Sequence, residues 1–250
     1  GLALDHTGYG VWVGTQRGIA HILNDQVTAY TPENVSVLTD PRIISVTRLA
    51  NHEIWFGTEG GEIIGCTDIP GKALDWHSVW KLPEDVDRNV GPIVWDVMQD
   101  STGAVWVAAG PTGMAIYRDG AWSFRDVEGL TTSRIKSFAE DGQGRIWIAG
   151  CEEPSYLENG QWVVEDPESD TLTVTTRPDG GIITGTSREG IRWLGKNGWE
   201  KVPLAPDVGN PLIRTIKFID NNHAWIGTKE GLLVLKKRTW EDVSHTPSPL

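Results

Sequence analysis

Short apolar runs follow one another along this chain, each cut by a turn signal, and no stretch keeps the spacing of an amphipathic helix. The most regular run is an apolar-Trp-apolar triplet followed by Gly-Thr. It reads Gly-Val-Trp-Val-Gly-Thr at 10–15 and Glu-Ile-Trp-Phe-Gly-Thr at 53–58. It returns as Ala-Val-Trp-Val-Ala-Ala at 104–109 and Arg-Ile-Trp-Ile-Ala-Gly at 145–150. It is reduced to Gly-Ile-Ile-Thr-Gly-Thr at 181–186 and restored as His-Ala-Trp-Ile-Gly-Thr at 223–228. The anchors Trp12, Trp55, Trp106, Trp147, Ile183 and Trp225 are spaced by 43, 51, 41, 36 and 42 residues. That period is the length of a four-stranded propeller blade.

Three further runs accompany each anchor. One precedes it, as in Ile43–Leu49, Ile93–Met98, Ile135–Ala139, Leu172–Thr176 and Leu212–Ile219. One follows the Gly-Thr, as in Gly18–Leu23, Gly113–Tyr117, Gly190–Leu194 and Gly231–Leu235. The last carries Trp76, Trp122, Trp162, Trp199 or Trp240, with Val27 in the first copy. Asp119-Gly120, Asn159-Gly160 and Asn197-Gly198 precede three of these and favour tight hairpins. Each repeat therefore predicts four short antiparallel strands, here called A to D. Triplets such as Ile-Trp-Ile are apolar on both faces of a strand, so both faces need cover, and a radial stack of sheets supplies it. The expected fold is all-β: a six-bladed β-propeller of four-stranded antiparallel blades. It is expected to be a single domain over 1–250, with blades at about 1–39, 40–89, 90–131, 132–168, 169–209 and 210–250.

Composition fits this reading. Of 13 Trp, ten fall on two recurring positions, where a flat ring can fill the wedge between neighbouring sheets. Trp80, Trp95 and Trp193 are left over. The net charge of −12 disfavours nucleic acid and anionic lipid, and no apolar run is long enough for a transmembrane helix. The start, Gly1-Leu2-Ala3-Leu4-Asp5, lacks Met and shows no signal peptide, so a trimmed domain or mature fragment is expected, with membrane attachment only through flanking segments. Cys66 and Cys151 form no metal framework and read as two thiols.

Strand A, an Asp-x-x-Gly turn, then apolar-Trp-apolar-Gly-Thr and a Gly-rich start to strand C together resemble the two-component regulator propeller repeat. Arg134–Gly150 and Leu212–Thr228 carry the resemblance best. It spans nearly the whole chain. It implies the extracytoplasmic sensor regions of hybrid histidine kinases, at the periplasm or cell surface. Departures are Ile183 in place of the anchor Trp, and the loss of Gly-Thr at Ala108-Ala109 and Ala149-Gly150.

In a propeller, strand A is innermost, and the D-to-A and B-to-C connections share the channel mouth, where loops converge on a ligand. The B-to-C turns bring Arg17 and Arg188, among others, and the arrivals at strand A bring Arg42, Arg88, Arg134 and Arg214. Several Arg on an acidic protein suggest an anion or sugar acid. The alternative is that they pair with Asp and Glu at blade ends. Trp95 either stacks on a sugar ring or fills the gap beside the long second repeat. The candidate ligand set is Arg17, Arg42, Trp95, Arg134, Arg188 and Arg214.

No catalytic motif, metal site or cofactor site is expected. His6, His52 and His223 sit in A-to-B turns but in different registers, and the acidic loop 165–170 reads as solvated rather than as a Ca²⁺ site. The expected function is a non-catalytic binding module for a small anionic or saccharide ligand or a protein partner. The alternative is a propeller enzyme: a lyase, lactonase or glycosidase.

Overall fold

The computed structural model describes residues 1–81, 93–109, 113–125, 134–150, 152–165, 170–204, 212–229, 231–236 and 239–242. Arg88, Pro111, Thr112, Cys151, the loop residues 166–169, Glu230 and His245 lie outside them. The described residues form 24 strands and no helix. The strands make six four-stranded antiparallel sheets, the blades of a β-propeller. Within every sheet the strands follow chain order, so each is a meander of three hairpins.

Two compact units divide the chain, 1–126 and 127–250. The first holds three sheets. They are β1 (Leu2–Leu4), β2 (Val11–Thr15), β3 (Gly18–Leu23) and β4 (Gln26–Tyr30); β5 (Ile43–Arg48), β6 (Glu53–Thr58), β7 (Glu62–Thr67) and β8 (Asp75–Lys81); and β9 (Val94–Gln99), β10 (Val105–Ala109), β11 (Met114–Arg118) and β12 (Ala121–Arg125). The second unit repeats the plan. Its sheets are β13 (Ser137–Glu140), β14 (Ile146–Ala149), β15 (Ser155–Glu158) and β16 (Gln161–Val164); β17 (Thr171–Thr176), β18 (Ile182–Thr186), β19 (Ile191–Gly195) and β20 (Gly198–Lys201); and β21 (Ile213–Asp220), β22 (His223–Thr228), β23 (Leu232–Lys236) and β24 (Thr239–Asp242).

The hairpin signals act as their chemistry requires. Asp119-Gly120 and Asn159-Gly160 both sit at positive φ, the backbone that matches a two-residue turn to twisted strands. Asn24-Asp25 makes the same turn between β3 and β4 without glycine.

Packing between sheets is directional within each unit. The anchor face of one sheet lies against the opposite face of the next. Trp12 and Ile19 pack on Val46, Ile54, Phe56, Ile64, Cys66 and Trp76 of the second sheet. Trp55 and Ile63 pack on Val97, Val105, Val107 and Ala115 of the third. In the second unit Trp147 meets Val174 and Ile182, and Ile183 meets Ile216, Ala224 and Ile226. Ile183 thus takes the anchor place at the cost of ring area alone. Trp12, Trp55, Trp106 and Trp147 are buried and Trp225 is 42% exposed; Trp12, Trp55 and Trp147 take the expected wedge role, each packed on the next sheet of its unit.

The Gly of Gly-Thr has a steric cause. A Cβ on Gly14 would stand 2.5 Å from Ile43 Cγ2, on Gly57 2.5 Å from Val94 Cγ1, and on Gly185 2.3 Å from Ile213 Cγ2. The first residue of the next sheet occupies the space that a side chain would need. Gly57→Ala should therefore lower stability by about 1–3 kcal/mol, the usual cost of overpacking, as read by urea unfolding. In the fourth sheet the crowding moves one place on: a Cβ on Gly150 would stand 1.8 Å from the Arg134 carbonyl oxygen.

Candidate functional site

Each strand A begins beside the turn that joins strands B and C of the same sheet, and one backbone hydrogen bond repeats there. Glu59 N–H donates to Arg42 C=O at 2.8 Å, Ser187 to Asp170 at 3.0 Å and Lys229 to Leu212 at 3.2 Å. The first strands lie side by side within each unit: β1, β5 and β9 in one, β13, β17 and β21 in the other. The loop end of these gathered strands is the part of the molecule that the sequence marks for ligand binding.

Strand A carries a recurring irregularity at this end. The ladder slips between Ile43 and Ser45, between the partners of Ala108 and Ala109, between Thr171 and Thr173, and between Ile213 and Thr215. Ile44, Trp95, Leu172 and Arg214 are the residues left out. A bulge frees one residue from pairing and redirects its side chain, which is why bulges collect near binding sites. Trp95 and Arg214 were singled out in the sequence by type; the structure shows that they hold the same position.

The six candidates divide. Arg42 is held by two carboxylates. Its Nε and Nη2 donate to Asp40 at 2.9 and 2.8 Å, and its Nη1 lies 3.1 Å from Glu59. Burial raises the Asp40 pKa, but the Arg42 hydrogen bonds and charge outweigh it and hold the carboxyl below its ordinary value. Arg42 therefore closes a blade end, as the alternative reading has it. Arg134 is exposed, with its carbonyl against Gly150. Arg17 and Arg188 are exposed in their turns, and Arg214 is exposed on β21. Trp95 is half-buried on β9. Within the first unit the site residues are Arg17, Arg42 and Trp95; within the second, Arg134, Arg188 and Arg214.

The remaining surplus Trp are accounted for. Arg177 lies 4.8 Å over the Trp193 ring, whose indole N–H donates to Glu200 at 3.0 Å. Trp80 packs against Trp122, ring centroids 5.8 Å apart.

The sequence reading treated the A-to-B Asp as a turn former and missed its second task. Asp141 Oδ1 accepts the N–H groups of Gln143 and Arg145, while Oδ2 accepts Arg145 Nε at 2.7 Å and the Trp147 indole at 2.8 Å. Asp100 does likewise for Thr102, Ala104 and Trp106. Both stand six residues before the Trp, a spacing visible in the sequence. Leu49 occupies that place before Trp55, and the buried Trp55 indole has no acceptor among the described residues. In the first sheet Asp5 caps its own turn and accepts from His21, while the Trp12 indole reaches Asp68 of the second sheet at 3.3 Å.

The turn histidines have local partners. His6 Nδ1 lies 2.7 Å from Asp68, and His223 Nδ1 2.8 Å from Asp220. Burial, reinforced by Asp68, pushes the Cys66 thiol up to about 12, so it stays protonated and unreactive.

A family model, Two component regulator propeller, matches residues 129–152. No curated protein matches the chain in sequence. Solved structures match it in fold. A catalytically inactive virginiamycin B lyase from Staphylococcus aureus with quinupristin is 16% identical, with TM-score 0.70 over 96% of this chain and 82% of its own. The extracellular domain of a putative hybrid two component system from B. thetaiotaomicron is 15% identical, with TM-score 0.51 over 96% and 47%. PorZ, a surface component of the type-IX secretion system of Porphyromonas gingivalis, is 16% identical, with TM-score 0.67 over 94% and 38%. At such identities the likeness is one of fold.

Proposed function

Starting from a chain that carries the two-component regulator propeller repeat, we propose that this propeller is a non-catalytic sensing module. It binds a small anionic or saccharide ligand outside the cytoplasm, at the periplasm or cell surface. The bulged position of strand A carries this reading. At the loop end it presents an aromatic face, Trp95, in the first unit and a guanidinium, Arg214, in the second, side-chain types that suit a saccharide and an anion respectively. Arg17 and Arg188 add exposed cations from the B-to-C turns. The extracellular setting of the two component neighbour supports the location.

A thermal-shift screen of neutral sugars, sugar acids and inorganic anions tests it. A ligand at about 100 times its Kd stabilises by about 2.7 kcal/mol, which should raise Tm by roughly 5–10 °C for a chain of this size. Arg214→Ala or Trp95→Ala should abolish the shift, whereas an unshifted Tm across the whole screen would remove the small-ligand reading. The likeness to the lyase favours a second reading, a propeller enzyme. Turnover of a bound compound, lost in a His or carboxylate variant, would establish that instead.

A further inference from the structure

The bulge on strand A recurs in the fourth sheet, at the start of its ladder. Lys136 N–H donates to Ala149 C=O at 2.8 Å, while Ser137 is the residue paired with Ala149. Two residues therefore oppose one, and Lys136 takes the place that Ile44, Trp95, Leu172 and Arg214 hold in their sheets. In the second unit the bulged residues of the three gathered strands are thus Lys136, Leu172 and Arg214.

Contacts beside these residues set them abreast. Ser137 Oγ donates to Val174 C=O at 3.0 Å, accepts the Val174 N–H at 3.2 Å and lies 3.4 Å from Thr173 Oγ1. Ser137 and Thr173 each follow a bulged residue, so Lys136 and Leu172 stand level. A Cβ on Gly185 would stand 2.3 Å from Ile213 Cγ2 and 2.8 Å from Thr173 Cγ2, so Ile213, the residue before Arg214, adjoins the same place. Ile135, Ser137, Thr171, Thr173 and Ile213 beside them are all buried. Lys136 and Leu172 are partly buried and Arg214 is exposed, so the bulged residues are what this row offers to a ligand.

The order cation, aliphatic, cation runs against the composition. The chain has 34 acidic residues to 22 basic, yet none of the five bulged positions is acidic and two are cations, both in this unit. Asp170, two residues before Leu172, is engaged by the turn of its own sheet: its carboxylate accepts the Ser187 hydroxyl, and its C=O accepts the Ser187 N–H at 3.0 Å.

Resting on the sensing function proposed above, we propose that this row is the seat of the ligand's charge and that the ligand is a short aliphatic dicarboxylate. One carboxylate pairs with the Arg214 guanidinium, whose fork can hold both oxygens, and the other with the Lys136 ammonium. The carbon chain between them lies on Leu172. A neutral saccharide would leave both cations without countercharge, and a single small anion would engage one end only.

Isothermal titration calorimetry tests this on the whole chain with succinate, glutarate and adipate against butyrate, glucose and inorganic phosphate. At least one dicarboxylate should bind roughly tenfold or more tighter than butyrate, the effect of one added charge-assisted contact. Lys136→Met should erase that advantage, and Lys136→Arg should keep it. Leu172→Asp, which sets a like charge beneath the ligand, should abolish binding. Circular dichroism and thermal unfolding confirm that each variant is folded. If glucose, butyrate or phosphate binds as tightly as the best dicarboxylate, or if Lys136→Met changes nothing, the dicarboxylate inference falls and the sensing function stands. If none of the six compounds binds, the inference falls as well, and the wider thermal-shift screen then decides the sensing function separately.

Discussion

Trp147→Ala will cost about 3–5 kcal/mol of stability, the range for removing a large aromatic from a close-packed interior. Trp147 is fully buried. Its ring meets Tyr156 at 4.8 Å and Trp199 at 6.1 Å, and it packs on Val174 and Ile182 of the next sheet. The indole N–H also occupies Asp141, so truncation leaves a buried carboxylate short of a donor. For a chain of this size the loss amounts to a fall in Tm of roughly 6–20 °C. Trp225→Ala is the internal control. That side chain is half-exposed, so its removal should cost less than about 2 kcal/mol. Equal losses at the two positions would contradict the directional packing described above.

Asp141→Ala should be the second large effect, at about 2–4 kcal/mol at neutral pH. The carboxylate accepts from two backbone N–H groups, a guanidinium and an indole, and truncation strands donors that are partly or wholly buried. Burial alone would raise its pKa, but the bonds from Trp147, Arg145 and Gln143 outweigh that and leave it below the ordinary carboxylate value. Asp100 is depressed in the same way by Thr102, Trp106 and Ala104. A folded-state pKa below the unfolded one means stability that is present above the unfolded value, about 3.9, and lost as pH falls through the folded one. The parent protein should therefore lose stability steeply from about pH 4 downward. Asp141→Ala, having already lost that contribution, should show a shallower decline. Thermal unfolding across the acid range measures both slopes, and parallel curves would refute the role given to Asp141.

The fold was legible because repetition exposes it. One anchor position in a period near 42 residues, Trp in five sheets and Ile183 in the other, marked every sheet, and turn chemistry such as Asn159-Gly160 marked the hairpins. The candidate site was legible only by residue type. Sequence places Arg42 and Arg214 alike, each at the start of a strand A. Three-dimensional contact separates them: Asp40 and Glu59 converge on Arg42, and Glu59 comes from a turn that the sequence sets far downstream. The bulge was invisible for another reason. It changes which residue pairs without changing apolar alternation enough to read. The Asp-to-indole bond could have been found, since its spacing recurs at Asp100 and Asp141; the Asp-x-x-Gly turn had already explained the Asp and hidden its other oxygen.

The bulge has an evolutionary consequence. A residue that pairs in no ladder is released from the demands that fix its neighbours. Ile44, Trp95, Leu172 and Arg214 are aliphatic, aromatic, aliphatic and cationic at one equivalent place, while Ile43, Val94 and Ile213 beside them remain bulky and buried. Specificity in such a lineage can drift one sheet at a time, with each new chemistry tried on a frame that does not have to be refolded to accept it.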